Sequence, residues 1–154
     1  MGGARSSVIL RRVAIVCGVL SAVVGLASAQ SSGGAGSTVR DRVYSAEQAK
    51  RGRATYDRKC ASCHDGGTMG PELWGEAFLA NWDGLTVGDL SERVRVSMPP
   101  NNLGRLSRQQ IADALSYLLS VNSFPPGKSE LEPRTELMKQ IRIEATKPKP
   151  ASGS

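Results

Sequence analysis

Histidine is almost missing from this chain: His64 is the only one, and there are only three cysteines, Cys17, Cys60 and Cys63. A structural zinc site needs four ligands, usually from two Cys or His pairs, so this inventory excludes one. No segment alternates apolar and polar residues in the manner of a half-buried strand. A sheet-based fold is therefore not expected, and with it goes the βαβ setting that a thioredoxin-like dithiol requires. Acidic residues are absent before Asp41, while Arg5, Arg11 and Arg12 precede the run "VAIVCGVLSAVVGLASAQ". That run is short for a bilayer span and is thinned by Gly and Ser. A basic start, a short apolar core and Ala27-Ser28-Ala29 before Gln30 form an export signal with a small-residue cleavage site. Cleavage is expected near Ala29. Cys17 is discarded with this segment, and Ile15 and Val16 before it are not the small residues of a lipid-attachment site.

Without those three arginines, seventeen basic residues face fourteen acidic ones, a net charge of +3. Such a balance gives no nucleic-acid-binding stripe. The remaining chain is long enough for one small domain. All seven aromatic residues lie between Tyr44 and Phe124, which marks the folded unit. The expected organisation is a signal over 1–29, a flexible leader over 30–42 beginning "QSSGGAGS", and a domain over 43–125. An extension over 126–145 follows, packing on the domain through the i,i+4 pair Leu137 and Ile141, and then a polar, proline-broken tail over 146–154.

Three helices are legible. Ser45-x-x-Gln48 is a capping box opening a helix in which Ala49, Gly52, Tyr56 and Cys60 share a face. Gly52 costs that helix about 1 kcal/mol relative to Ala, and close approach of another helix would compensate. A second helix starts at the Thr86/Asp89 cap, buries Leu90 and Val94, and stops at Met98-Pro99-Pro100, because proline disfavours helical geometry in the residue before it. The third opens with Ser107-x-x-Gln110 and aligns Ile111, Ala114, Leu115 and Leu118, with Tyr117 beside them. The fold class is all-α with long loops.

"CASCH", residues 60–64, then carries the chemistry. With zinc and dithiol exchange set aside, Cys-x-x-Cys-His is the attachment signature of c-type haem. Cys60 and Cys63 would add to the two vinyl groups as thioethers, and His64 would become the proximal iron ligand. Export agrees with this, since such attachment takes place outside the bacterial cytoplasm. A folded unit of this size is marginal on its own apolar core, and the porphyrin would supply the surface it needs. Met sulfur is a common sixth ligand. Met69 follows His64 too closely to circle a porphyrin, and Met138 lies beyond the last domain helix; Met98, before two prolines, has the reach. The competing role of Met98 is core filler. Trp82 has two readings of equal weight: indole donor to a haem propionate, or plain core. Arg93 and Arg95 are read as a solvated helix face.

His64, "GPELWG" over 70–75 and Met98-Pro99, in this order, resemble a class I cytochrome c with one haem, over about residues 44–124. The resemblance implies three to four helices wrapped around one covalent haem, with the first and last helices crossing. It also implies that the Pro71 carbonyl accepts a hydrogen bond from the proximal imidazole. Finer wording in 78–144 is similar to small bacterial cytochromes associated with quinoprotein (PQQ) dehydrogenases. The implied function is a periplasmic, monomeric one-electron carrier. Its transient partners would be a periplasmic dehydrogenase on one side and another cytochrome or a terminal oxidase on the other. The alternative is a haem enzyme, or a sensor of peroxide or gas, with a labile sixth ligand; the lack of a distal histidine weighs against it.

Overall fold

The computed structural model describes residues 36–66, 69–101 and 106–146. The expected export signal, the first residues of the leader and residues 147–154 of the tail lie outside them. Among the described residues the arrangement is mostly helical. The elements are α1 (Ala46–Lys59), α2 (Ala61–His64), α3 (Gly75–Trp82), α4 (Val87–Ser97), α5 (Arg108–Val121) and α6 (Thr135–Met138). A two-stranded parallel sheet pairs β1 (Ser37–Thr38) with β2 (Ile141–Arg142). No described helix is long and apolar enough to cross a membrane.

The three helices read from the sequence start at their caps. Ser45, Thr86 and Ser107 each accept a backbone N–H from the third residue on, satisfying a donor that the first helical turn leaves free. The box is reciprocal at Thr86/Asp89 and Ser107/Gln110. It is not at Ser45, because the Gln48 side chain is used elsewhere. Its Nε2 donates to Leu131 O at 3.0 Å and its Oε1 accepts from Leu131 N at 2.6 Å. Gln48 and Leu131 are both buried, so this pair of bonds clips the chain after the last long helix onto α1. α3 escaped the sequence reading because it is short and starts at Trp74 without a side-chain cap.

Helices α1 and α5 make the most extensive helix–helix contact. Gly52 sits at their crossing, where an added Cβ would lie 1.8 Å from the Asp113 carbonyl oxygen. The glycine is there because α5 leaves no room for a side chain. Tyr56, Ile111, Leu115 and Leu118 join one core cluster across this interface.

Two expectations at the ends of the domain need correction. Residues 37–42, assigned to a flexible leader, are part of the fold. Thr38 caps a 3-10 turn over Val39–Asp41, Val39 is fully buried, and Arg40 donates to Ala145 O at 2.6 Å. Local Gly/Ser composition concealed this because the strand partner lies about a hundred residues away. In the extension, Leu137 and Ile141 are not a helical pair. The helix ends at Met138, Ile141 enters β2, and the core residues are Leu131, Met138 and Ile143.

The clip makes a prediction. Gln48→Leu leaves the buried N–H and C=O of Leu131 without partners, and we expect a loss of about 3 kcal/mol. Urea unfolding measures it. Faster amide exchange over 127–145 than over α5 would show that the extension detaches first.

Candidate functional site

Cys60 ends α1, its N–H bonded to Tyr56 O at 2.8 Å, and at once starts α2. The Cys60 carbonyl accepts from Cys63 N at 3.1 Å and His64 N at 3.0 Å. This single turn brings Cys60, Cys63 and His64 to one apolar hollow, whose other walls are Leu73, Val94, Met98, Leu115 and Leu118 among others. A second cleft of about 430 Å³ continues past His64, Pro71 and Met98 to Trp82 and Arg93. Both spaces share His64, Leu73, Val94, Met98 and Leu118. Helix α4 delivers Met98 as its C-cap, α5 delivers Leu115 and Leu118, and the loop before α3 delivers Pro71 and Leu73.

His64 is 7% exposed, and its Nδ1 lies 2.6 Å from the Pro71 carbonyl oxygen. A carbonyl only accepts, so the proton sits on Nδ1 and the lone pair on Nε2 is free to bind a metal. Gly70 permits this contact. A Cβ there would stand 2.9 Å from His64 Cε1 and 3.0 Å from Nδ1. The sequence marks Gly70 only as the head of "GPELWG", with no role of its own.

The three candidate methionines separate cleanly. Met98 lines both spaces, Met69 is 71% exposed, and Met138 is 1% exposed in the core with the C-terminal extension. Trp82 is half-buried, packs on Phe78 at 6.2 Å between centroids, and borders the second cleft. It touches both of its readings. Arg93 is exposed at the cleft edge, while Arg95 pairs with Glu92 on the helix surface.

The Cys60 thiol is not set up for exchange chemistry. Burial, then the neighbouring Cys63 and Asp65 charges, pushes the Cys60 thiol up to about 11, whereas a reactive dithiol needs a depressed value. Tyr56, buried beside Cys60, donates its hydroxyl to Asp65 Oδ1 at 2.7 Å, and burial with this bond raises its pKa. Among the described residues, no group of three or more His, Cys, Asp or Glu side chains converges to hold a metal ion. The donors gathered here are one imidazole and one thioether, with two thiols alongside. That set is compatible with a planar cofactor held at its edge by the two thiols.

Residue Asn122, missed in the sequence, lies at the end of α5 and is 7% exposed. It donates to Leu73 O at 3.0 Å and Leu118 O at 2.8 Å and accepts from Gly75 N at 3.1 Å.

Residues 47–118 match the family model described as cytochrome c oxidase, cbb3-type, subunit III. No curated protein and no solved structure matches the chain. The matched stretch begins in α1 and ends in α5, so it takes in the two hollows and the residues gathered around His64. This partial likeness supports a cytochrome-related protein with a general role in electron transfer.

Proposed function

We propose that this chain is an exported monohaem c-type cytochrome of class I that carries single electrons. The observation that carries the reading is the buried His64 imidazole, its Nδ1 proton tied to the Pro71 carbonyl, in an apolar cleft that Cys60, Cys63 and Met98 also line. Cys60 and Cys63 would hold haem c through two thioethers, with His64 Nε2 and the Met98 sulfur as the iron ligands. When bound, the haem iron supplies a ferrous/ferric couple. The protein's part is to keep the ligands fixed. The Pro71 carbonyl holds the proton on Nδ1 and strengthens the imidazole as a donor. Leu73, Val94, Leu115 and Leu118 keep water from the site, and Met98 as a ligand favours the reduced state. Trp82, bordering the same cleft, is the candidate indole donor to a propionate.

Electron transfer needs only a small, transient contact, and the edge near Cys63 is the natural exit. Donors of the periplasmic dehydrogenase class, including quinoproteins, and acceptors of the terminal oxidase class fit this role. The similarity of 47–118 to an oxidase subunit supports a place among respiratory components.

Spectroscopy of the holoprotein tests the proposal. The ferric form should be low-spin with the weak near-red band of an iron–Met bond, and Met98→Ala should abolish that band and lower the reduction potential. High-spin ferric haem in the wild type would defeat the carrier mechanism.

A further inference from the structure

We infer that Asn122 is a positioning residue that holds the Pro71 carbonyl against His64. This rests on the haem reading of the site and deepens it. Pro71 is exposed, and nothing in an exposed loop by itself keeps a carbonyl pointed at a buried ring. Two residues further on, Asn122 grips the same loop from both sides. Its Oδ1 accepts from Gly75 N, and its Nδ2 donates to Leu73 O. The same Nδ2 donates to Leu118 O one turn back along α5, which anchors the amide to the helix it stands on. The loop from Pro71 to Gly75 is thereby fixed to α5, the helix that also supplies Leu118 to both walls of the cleft.

The amide is suited to this task because it offers an acceptor and a two-proton donor on one buried group. An aliphatic residue would leave Gly75 N–H and Leu73 C=O unpaired, and the loop would relax toward solvent. The effect then reaches His64. A hydrogen bond to the outer nitrogen of a metal-bound imidazole raises its basicity, and a more basic ligand stabilises ferric over ferrous iron. Loosening the loop weakens the Nδ1–H bond to Pro71 and so shifts the balance toward ferrous.

The test uses ¹⁵N-labelled holoprotein and three variants. In Asn122→Ala, the ferric-to-ferrous ratio at a fixed mediator potential should fall about threefold or more, as an outer-sphere partner's loss tunes the metal. Exchange of the His64 Nδ1 proton in the ferrous form should quicken by about tenfold, reporting local opening. Asn122→Asp keeps the acceptor toward Gly75 but removes the donors to Leu73 and Leu118, and should quicken the exchange as alanine does. Its added charge itself favours ferric iron, so exchange is its readout, and it decides the matter if the alanine variant does not fold. Leu119→Ala, a buried neighbour on α5 outside both cleft walls, should destabilise the protein and move neither readout. Unchanged ratio and exchange in the Asn122 variants, or equal changes in Leu119→Ala, overturn the inference while the cytochrome reading stands. A wild type without covalent haem overturns both.

Discussion

Replacing Cys60 and Cys63 together by alanine should yield a protein without covalent haem and without a cooperative melt. Leu73, Val94, Leu106, Ala114, Leu115 and Leu118 are among the apolar residues that line the hollow the cysteines border. Each large one left facing water forfeits about 1.5–3 kcal/mol relative to burial. Leu115 and Leu118 are already buried between the helices, whereas Leu73, Val94 and Leu106 are only half-buried. These three put at stake up to about 5 kcal/mol, the lower end of the about 5–15 kcal/mol by which a typical domain is stable. A folded unit this small has little else to draw on. Acid–acetone extraction followed by thermal denaturation measures both parts of the expectation. On the proposed reading, the wild type should retain a covalent haem through extraction and unfold in one transition. A double variant with a sharp, near-native melt would show that the core stands without the cofactor. Single Cys→Ala variants should keep one thioether and fall between.

The second large effect is expected at Gly52. Helix propensity alone favours Gly52→Ala by about 1 kcal/mol. The crossing opposes it more strongly, since the new Cβ would lie 1.8 Å from Asp113 O, 2.5 Å from Asp113 C and 3.0 Å from Tyr117 Cβ. Backbone atoms of a packed helix cannot swing aside as a side-chain tip does, so α1 and α5 must separate. Overpacking of this kind costs about 1–3 kcal/mol and sometimes more, so we expect a net loss of about 2 kcal/mol or more for Ala. Valine should be worse. The damage should not stay at the crossing, because α1 carries Tyr56 and Cys60 and α5 carries Leu115 and Leu118 to the cleft. Denaturant unfolding and the yield of haem-loaded protein are the measurements. A Gly52→Ala variant as stable as the wild type would mean that the helices yield more readily than their packing implies.

Which of these features could be read from the chain depended on how local their causes are. The caps at Ser45, Thr86 and Ser107 act within one helical turn, and each stood where its residues announced it. The stop at Met98 before two prolines was equally local. Gly52 was legible as an anomaly, a glycine among helix formers, though only α5 explains it. By contrast, Gln48 looked like half of a capping box because its partner Leu131 lies 83 positions away. Val39 looked like part of a leader because the strand that β1 pairs with is Ile141–Arg142. No window of neighbouring residues contains either fact.

The candidate site divides in the same way. Cys60, Cys63 and His64 are held together by a single turn, so their spacing alone defines one side of the cleft. The chain also marks Met98, through its position before Pro99. Tertiary structure decides the rest. It brings Met98 and not Met69 or Met138 to the walls that His64 shares, and it sets Pro71 O 2.6 Å from Nδ1. It also places Asn122 of α5 under the loop that carries Pro71. The physical reason is range. Capping, helix termination and a four-residue turn are set by adjacent backbone, whereas a shared cleft and a fixed carbonyl exist only once α1, α4 and α5 have packed.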